Sequence, residues 1–158
     1  MANQLIKEII VEVEPLSVSE PIGSATGKVL ASGLPALPAV DSDGKFAGVF
    51  GEREFMKALF PGYVDTLGSA AMVRRTIDEH IERRTECVEQ PISDYLTTDQ
   101  VMVDDEHSDT QLAELFLHHR VLIIPIATGG RIHAVVTRSD FFRALAMRAF
   151  HLIDDFGA

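Results

Sequence analysis

The chain has 158 residues and a formal net charge of −10, with 46% hydrophobic and 24% charged residues. This composition is typical of a soluble globular protein, and the negative charge argues against nucleic acid as a partner, since its phosphates would be repelled. No apolar run is long enough to span a bilayer, and the N-terminus lacks the basic segment of a signal peptide. We therefore expect a cytoplasmic protein with no membrane partner.

In chain order, the first half predicts a β-α-β-β-α unit. Gly44 lies in a short polar turn between two apolar runs and supplies the positive φ of a hairpin. The helix after the hairpin places Phe55, Met56 and Leu59 on one face and ends before Pro61. The preceding elements are strands at 16–18, 37–40 and 46–50 and a helix over 21–31.

A linker helix is predicted between the two halves of the chain. Val73, Ile77 and Ile81 recur at helical spacing, and charged residues surround them. The resulting apolar stripe is narrow, so we expect it to need a partner surface.

The second half repeats the order of the first. A strand at 101–103 precedes a helix for which Ser108 and Asp109 are both good caps, and two further strands flank the turn at 128–130. The final helix has Asp140 in its first turn, where a carboxylate is favoured by the helix dipole. Its apolar face is predicted to contain Phe141, Phe142 and Leu145. The two strands of the hairpin are predicted at 121–127 and 132–136.

The duplicated units and two short motifs resemble the CBS (cystathionine-β-synthase) domain. The motifs are Ile124-Pro125-Ile126 and Thr137-Arg138-Ser139-Asp140. The resemblance implies an α/β (α+β) fold, in which two β-α-β-β-α repeats pack pseudo-symmetrically into a Bateman module with an inserted linker helix. We assign 1–62 to the first repeat with its N-terminal segment, 63–90 to the linker helix, and 91–158 to the second repeat with its C-terminal helix.

The resemblance further implies a regulatory module that binds an adenosine-containing ligand, such as AMP, ADP, ATP or S-adenosylmethionine. The family pattern falls on Thr137 and Asp140, whose oxygens suit ribose hydroxyls and a phosphate at a helix start. Arg138 either pairs with a phosphate or remains solvated. The alternative for Thr137 and Asp140 is that they only cap the helix. The adenine ring is expected between apolar side chains, namely Val101, Val103 and Val121.

The first repeat departs from the family pattern. Gly51 replaces the hydroxyl residue, and Glu54 replaces the aspartate with a side chain one methylene longer. The second repeat lacks the basic residues that precede the proline in phosphate-binding members, since Leu122 and Ile123 stand there. Apolar groups do not neutralise a triphosphate. We therefore expect a site in the second repeat alone, and a weakly charged ligand.

Nothing in the sequence supports catalysis, so we predict a protein that is not an enzyme and requires no cofactor. We expect no metal site, because the acidic segment 104–109 with His107 fits no cation-binding spacing and His118 and His119 are adjacent. The competing function is a structural or protein-interaction CBS pair that has lost ligand binding. We also predict a homodimer and an unknown effector protein as partners. The C-terminal helix carries more apolar surface than a short repeat needs to bury, at Phe142, Leu145, Met147, Ala149, Phe150, Leu152 and Ile153.

Overall fold

The computed structural model describes residues 7–61, 75–97 and 101–157, and it divides the chain into two compact units. One unit comprises Leu16–Gln100, and the other comprises Met1–Pro15 together with Val101–Ala158. The N-terminal segment, which the sequence division groups with the first repeat, thus lies in the other unit. The physical reason is strand pairing, because Val11 and Glu12 hydrogen-bond to the second repeat.

The unit Leu16–Gln100 contains helix α1 (Ile22–Ser32) and a three-stranded sheet in the order β2 (Leu16–Ser17), β3 (Ala36–Val40) and β4 (Phe46–Gly51). Strand β2 is parallel to β3, and β3 and β4 form the antiparallel hairpin around Gly44, whose φ is 78°. The sheet and helix α1 bury Leu16, Ile22 and Phe50 in the core of this unit. The last element of this unit before the linker is α2 (Glu52–Leu59).

The linker is helical only in part. Helix α3 (Ile77–Arg83) starts at the cap residue Thr76, and two 3₁₀ turns follow it, at Thr85–Glu89 and Ile92–Asp94. Ile77 and Ile81 are exposed in the described part of the chain, so the partner surface of their stripe stays a prediction, and Val73 lies outside the described residues. The buried residue of α3 is His80, because its ring packs edge-on against Phe60 with centroids 4.9 Å apart.

The second unit contains a four-stranded sheet in the order β1-β7-β6-β5. Strand β5 is parallel to β6, and the hairpin β6–β7 is antiparallel. The fold of the second repeat is therefore again β-α-β-β-α, as the sequence predicts. Its elements are β1 (Val11–Glu12), β5 (Val103–Asp104), α4 (Asp109–His118), β6 (Ile123–Thr128), β7 (Arg131–Thr137) and α5 (Arg138–Gly157).

The core of this unit is continuous across the sheet and both helices. Leu112 from α4 and Phe141 from α5 close it, and the Phe116 and Phe141 rings lie 5.4 Å apart. The buried cluster consists of Val101, Val103, Leu112, Ile124, Ile126, Ala134, Val136 and Phe141. This apolar core fixes the end of β7, where the predicted site residues begin.

The helices that follow the hairpins bury only part of the apolar faces predicted for them. In α2 the buried residues are Glu54 and Ala58, whereas Met56 is exposed. In α5 Phe141 is buried, whereas Phe142 and Leu145 are exposed. Each helix begins directly after its strand. The end of the strand therefore determines which side of the helix meets the sheet, and the hydrophobic pattern of the helix does not determine it alone.

Candidate ligand-binding site

Thr137 ends β7 and begins the candidate site. It pairs with Ile123 of β6 and is buried. Its Oγ1 accepts a hydrogen bond from the N–H of Asp140 at 3.0 Å, which satisfies one of the free amides of the first turn of α5. The hydroxyl oxygen therefore caps the helix, while its hydrogen remains a donor for a further group.

Asp140 lies in the first turn of α5 with its carboxylate partly open to solvent. The side chain is 36% exposed, and Oδ1 lies 3.7 Å from Nη1 of Arg143. The positive end of the helix dipole favours a carboxylate here. The Asp140 carboxylate thus lies beside a cation and remains accessible, which are the properties of an acceptor for ligand hydroxyls.

The backbone of Arg138 holds the start of α5 in place, whereas its side chain is exposed. Its N–H donates to the carbonyl oxygen of Leu122 at 2.9 Å, which ties the helix start to the segment before β6. The side chain is exposed. The Asp140 N–H donates to Thr137 in the same way. Two of the three N–H groups at positions 138–140 therefore already have acceptors within the chain.

The three predicted apolar residues lie in the same unit as Thr137 and Asp140. Val101 and Val103 are buried members of the core cluster, and Val121 packs against that cluster while remaining partly exposed. Val121 therefore offers more of its side chain to an adenine ring than the other two do.

The equivalent position in the first repeat differs for steric reasons. A Cβ on Gly51 would lie 2.2 Å from the Pro35 carbonyl oxygen and 2.5 Å from the Cβ of Ala36, so no hydroxyl residue fits. Glu54 is only 3% exposed, and its Oε2 accepts a hydrogen bond from the Thr97 hydroxyl at 2.5 Å. Neither group is disposed like its counterpart in the second repeat.

One polar cluster was missed by the sequence interpretation. The Thr128 hydroxyl donates to Asp105, and Nε2 of His133 lies 2.7 Å from that hydroxyl oxygen and 3.2 Å from Oδ1 of Asp105. The hydrogen bond from Thr128 is the largest cause that lowers the pKa of the Asp105 carboxyl below its usual range. Desolvation opposes it, and the hydrogen bond from His133 lowers the pKa further. The residues are far apart in sequence, so only the hairpin β6–β7 and its neighbour β5 bring them together.

No group of side chains in the described part of the chain has the form of a metal site. His107 is buried, with Nδ1 at 2.5 Å from the carbonyl oxygen of Asp104. Cys87 is a buried free thiol. None of the helices described at 7–61, 75–97 and 101–157 has the length and apolar character needed to cross a membrane.

Comparison with known proteins agrees with this architecture. Residues 92–147 match the family model of the CBS domain. A CBS-domain containing protein from Agrobacterium tumefaciens is similar in structure, with a TM-score of 0.62, 24% identity and 89% of each chain covered. One from Bacillus anthracis gives a TM-score of 0.66 with 17% identity, covering 92% of this chain and 95% of its own.

A third similar structure contains a nucleotide. CBSX2, solved in complex with AMP, gives a TM-score of 0.62 with 15% identity and covers 91% of this chain and 97% of its own. No curated protein matches the sequence. Residues 92–147 thus resemble a CBS domain, and the chain as a whole has the fold of a CBS domain pair.

Proposed function

We propose that the chain is a regulatory module that binds an adenosine-containing ligand in its second repeat, at the start of α5. The observation that carries this proposal is the pairing of Thr137 and Asp140. Thr137 orients the first turn through the Asp140 amide, and the Asp140 carboxylate is partly exposed beside it. A carboxylate held in this way accepts hydrogen bonds from the two hydroxyls of a ribose.

The charge around the site favours a ligand with few phosphates. Leu122 and Ile123 are apolar, and Arg143 is already near Asp140. Because two of the three first-turn amides are used internally, the helix start has little remaining capacity to bind anions. AMP or S-adenosylmethionine fits these groups better than ATP does, and the AMP complex of CBSX2 supports the adenosine class.

The proposed role is non-catalytic and cytoplasmic. Binding would alter the geometry of the module and thereby its contact with an effector protein. The competing proposal is a structural or protein-interaction pair without a ligand. It is supported by the cap that Thr137 already provides and by the absence of cations at Leu122 and Ile123.

A homodimer forms part of the proposal. The N-terminal part of α5 exposes Phe142 and Leu145, and its continuation exposes Met147, Phe150 and Leu152. An apolar face of this extent on a soluble protein indicates an interface, and a second copy of the chain is the proposed occupant.

Thermal unfolding with a panel of adenosine ligands tests the proposed site. AMP, ATP, NAD and S-adenosylmethionine would each be added in large excess to the wild-type chain and to Asp140→Asn. A ligand at about 100 times its Kd stabilises by about 2.7 kcal/mol, so we expect Tm to rise by roughly 5 to 10 °C with the preferred ligand.

Ser139→Ala is the matched control, because Ser139 is exposed in the same helical turn. We expect this variant to keep the full Tm shift, whereas Asp140→Asn loses most of it. The proposal fails if no ligand of the panel raises the wild-type Tm, and that result would favour the structural role.

A further inference from the structure

Glu54 is a buried carboxylate that the chain satisfies from a distant segment. It lies in the first turn of α2 and is almost fully buried, yet its hydrogen-bond donor is Thr97, which follows both 3₁₀ turns of the linker. A hydrogen bond from a hydroxyl to a buried carboxylate is short and strong, and leaving such a carboxylate without a donor is costly.

The segment that carries Thr97 lies directly on β4. Val49 and Thr97 exchange backbone hydrogen bonds of 3.4 and 3.2 Å. A Cβ on Gly48 would lie 2.6 Å from the Thr97 carbonyl oxygen, so only glycine admits the segment this closely. Thr97 is thus fixed by its backbone as well as by its hydroxyl.

A second set of contacts holds the same segment against the end of α2. Nε of Arg84 donates to the carbonyl oxygen of Ala58 at 2.9 Å, and Nη2 donates to the Tyr95 hydroxyl at 2.9 Å. The Tyr95 hydroxyl in turn donates to Gln90 at 2.7 Å. The linker is therefore attached near both ends of α2.

The second repeat offers an internal comparison. The same number of residues separates Val11 from Thr97, Val49 from Val135, and Glu54 from Asp140. Val11 pairs with Val135 just as Thr97 pairs with Val49. Val11 has no hydroxyl, and the Asp140 carboxylate remains partly exposed. The segments that carry Val11 and Thr97 are added to the two sheets at equivalent positions, but only Thr97 donates to the carboxylate.

We propose that Thr97 closes the first repeat to ligands by occupying, from within the chain, the carboxylate that corresponds to Asp140. The Glu54 carboxylate of the first repeat is then always occupied by Thr97, and each chain binds one adenosine ligand, in the second repeat. The statement about ligands rests on the function proposed above, whereas the internal closure rests only on the contacts of Glu54 and Thr97.

The closure is tested by a double-mutant cycle on the full chain. Thr97→Val and Glu54→Met would be measured singly and together by equilibrium unfolding. We expect each single change to raise the unfolding equilibrium constant about tenfold. Thr97→Val leaves the buried Glu54 carboxylate without its donor, and Glu54→Met leaves the Thr97 hydroxyl without its acceptor. In the double variant, the unfolding equilibrium constant should rise by less than the product of the two single increases. The closure would be overturned if the effects of the two substitutions on the free energy of unfolding were additive, or if Thr97→Val had no effect on it.

The stoichiometry is tested by calorimetric titration of AMP into the wild type, Glu54→Gln and Asp140→Asn. We expect one AMP per chain, unchanged affinity in Glu54→Gln, and an affinity at least tenfold lower in Asp140→Asn. Two AMP per chain, or a loss in Glu54→Gln as large as in Asp140→Asn, would overturn the proposal. If AMP binds nowhere, the function proposed above fails for AMP, and the unfolding cycle still decides whether Thr97 closes the first repeat.

Discussion

Gly51 leaves less room for a Cβ than the other glycines described in the chain. A Cβ there would overlap the backbone of Pro35 and Ala36, and neither is the movable end of a flexible side chain. We predict that Gly51→Ala destabilises the chain by about 2 kcal/mol, because the strand pair β3–β4 must shift to admit the methyl group. Chemical denaturation measures this loss.

Gly27→Ala is the control for that experiment. Gly27 lies inside α1, and a Cβ there would meet nothing within 4 Å. We expect this change to stabilise the chain by about 0.5 to 1 kcal/mol, since alanine is the better helix former. Equal effects of the two substitutions would contradict the steric explanation of Gly51.

The lowered pKa of Asp105 gives the second prediction at this scale. A carboxyl whose pKa is lower in the folded chain than in the unfolded chain adds stability above its unfolded pKa, and this stability is lost as the pH falls through the folded value. Thr128 is the largest cause of the shift. Thr128→Val should therefore raise the pKa of Asp105 and destabilise the chain more at neutral pH than in acid.

Carbon-detected NMR titration of the Asp105 carboxyl measures the change. Thr110→Val, an exposed substitution in α4, is the control and should leave that pKa where it is. An unchanged Asp105 pKa in Thr128→Val would contradict the assigned cause.

At the scale of elements, the signals that could be read from sequence were local ones. Ser108 was identified as a cap of α4 from its residue type and position, and its Oγ accepts the N–H of Gln111 at 3.1 Å. The hairpin at Gly44 followed from one residue in the same way. The orientation of α2 and α5 could not be predicted, because it depends on how the preceding strand enters the helix and not on the apolar pattern.

The cap of α4 gives a prediction for a whole helix. We expect Ser108→Ala to destabilise the chain by about 1 kcal/mol, because one amide of the first turn loses its acceptor. Ser108→Asp restores an acceptor and should keep most of the stability. Urea denaturation compares the two variants, and an alanine variant as stable as the aspartate variant would show that the cap contributes nothing.

At the scale of the whole molecule, both repeats expose the same pair of apolar positions. Leu30 and Met56 in the first repeat are 77% and 52% exposed, and their counterparts Leu117 and Phe142 are 83% and 69% exposed. The repetition indicates a shared surface property of the fold. The sequence pattern assigned Met56 to a helix face without revealing that it points to solvent, whereas Phe142 was among the surplus apolar residues predicted for the C-terminal helix.

The homodimer prediction follows from these exposed positions. We expect light scattering to give twice the 17.4 kDa mass of one chain, and the Leu117→Asp, Phe142→Asp double variant to give a single-chain mass. Val88→Asp is the control, because Val88 is also exposed but lies outside the repeated pair. A wild type that remains a single chain at high concentration would contradict the prediction.

The repeat order and the candidate residues of the second repeat could be recognised from sequence, because each rests on a motif that is contiguous in the chain. The sequence did not reveal the pairing of Val11 with Val135 or the hydrogen bond between Thr97 and Glu54. Both join segments that are far apart in sequence, and neither has a local pattern. The difference between the two repeats therefore became clear only from their contacts.

The most direct test of the central claim is a titration of AMP into the ¹⁵N-labelled chain, followed by amide NMR. We expect chemical-shift changes at the amides of Thr137–Asp140 and at Val121, and none at Gly51–Glu54. Changes at Gly51–Glu54, or no change anywhere at millimolar AMP, would contradict a single adenosine site at the start of α5.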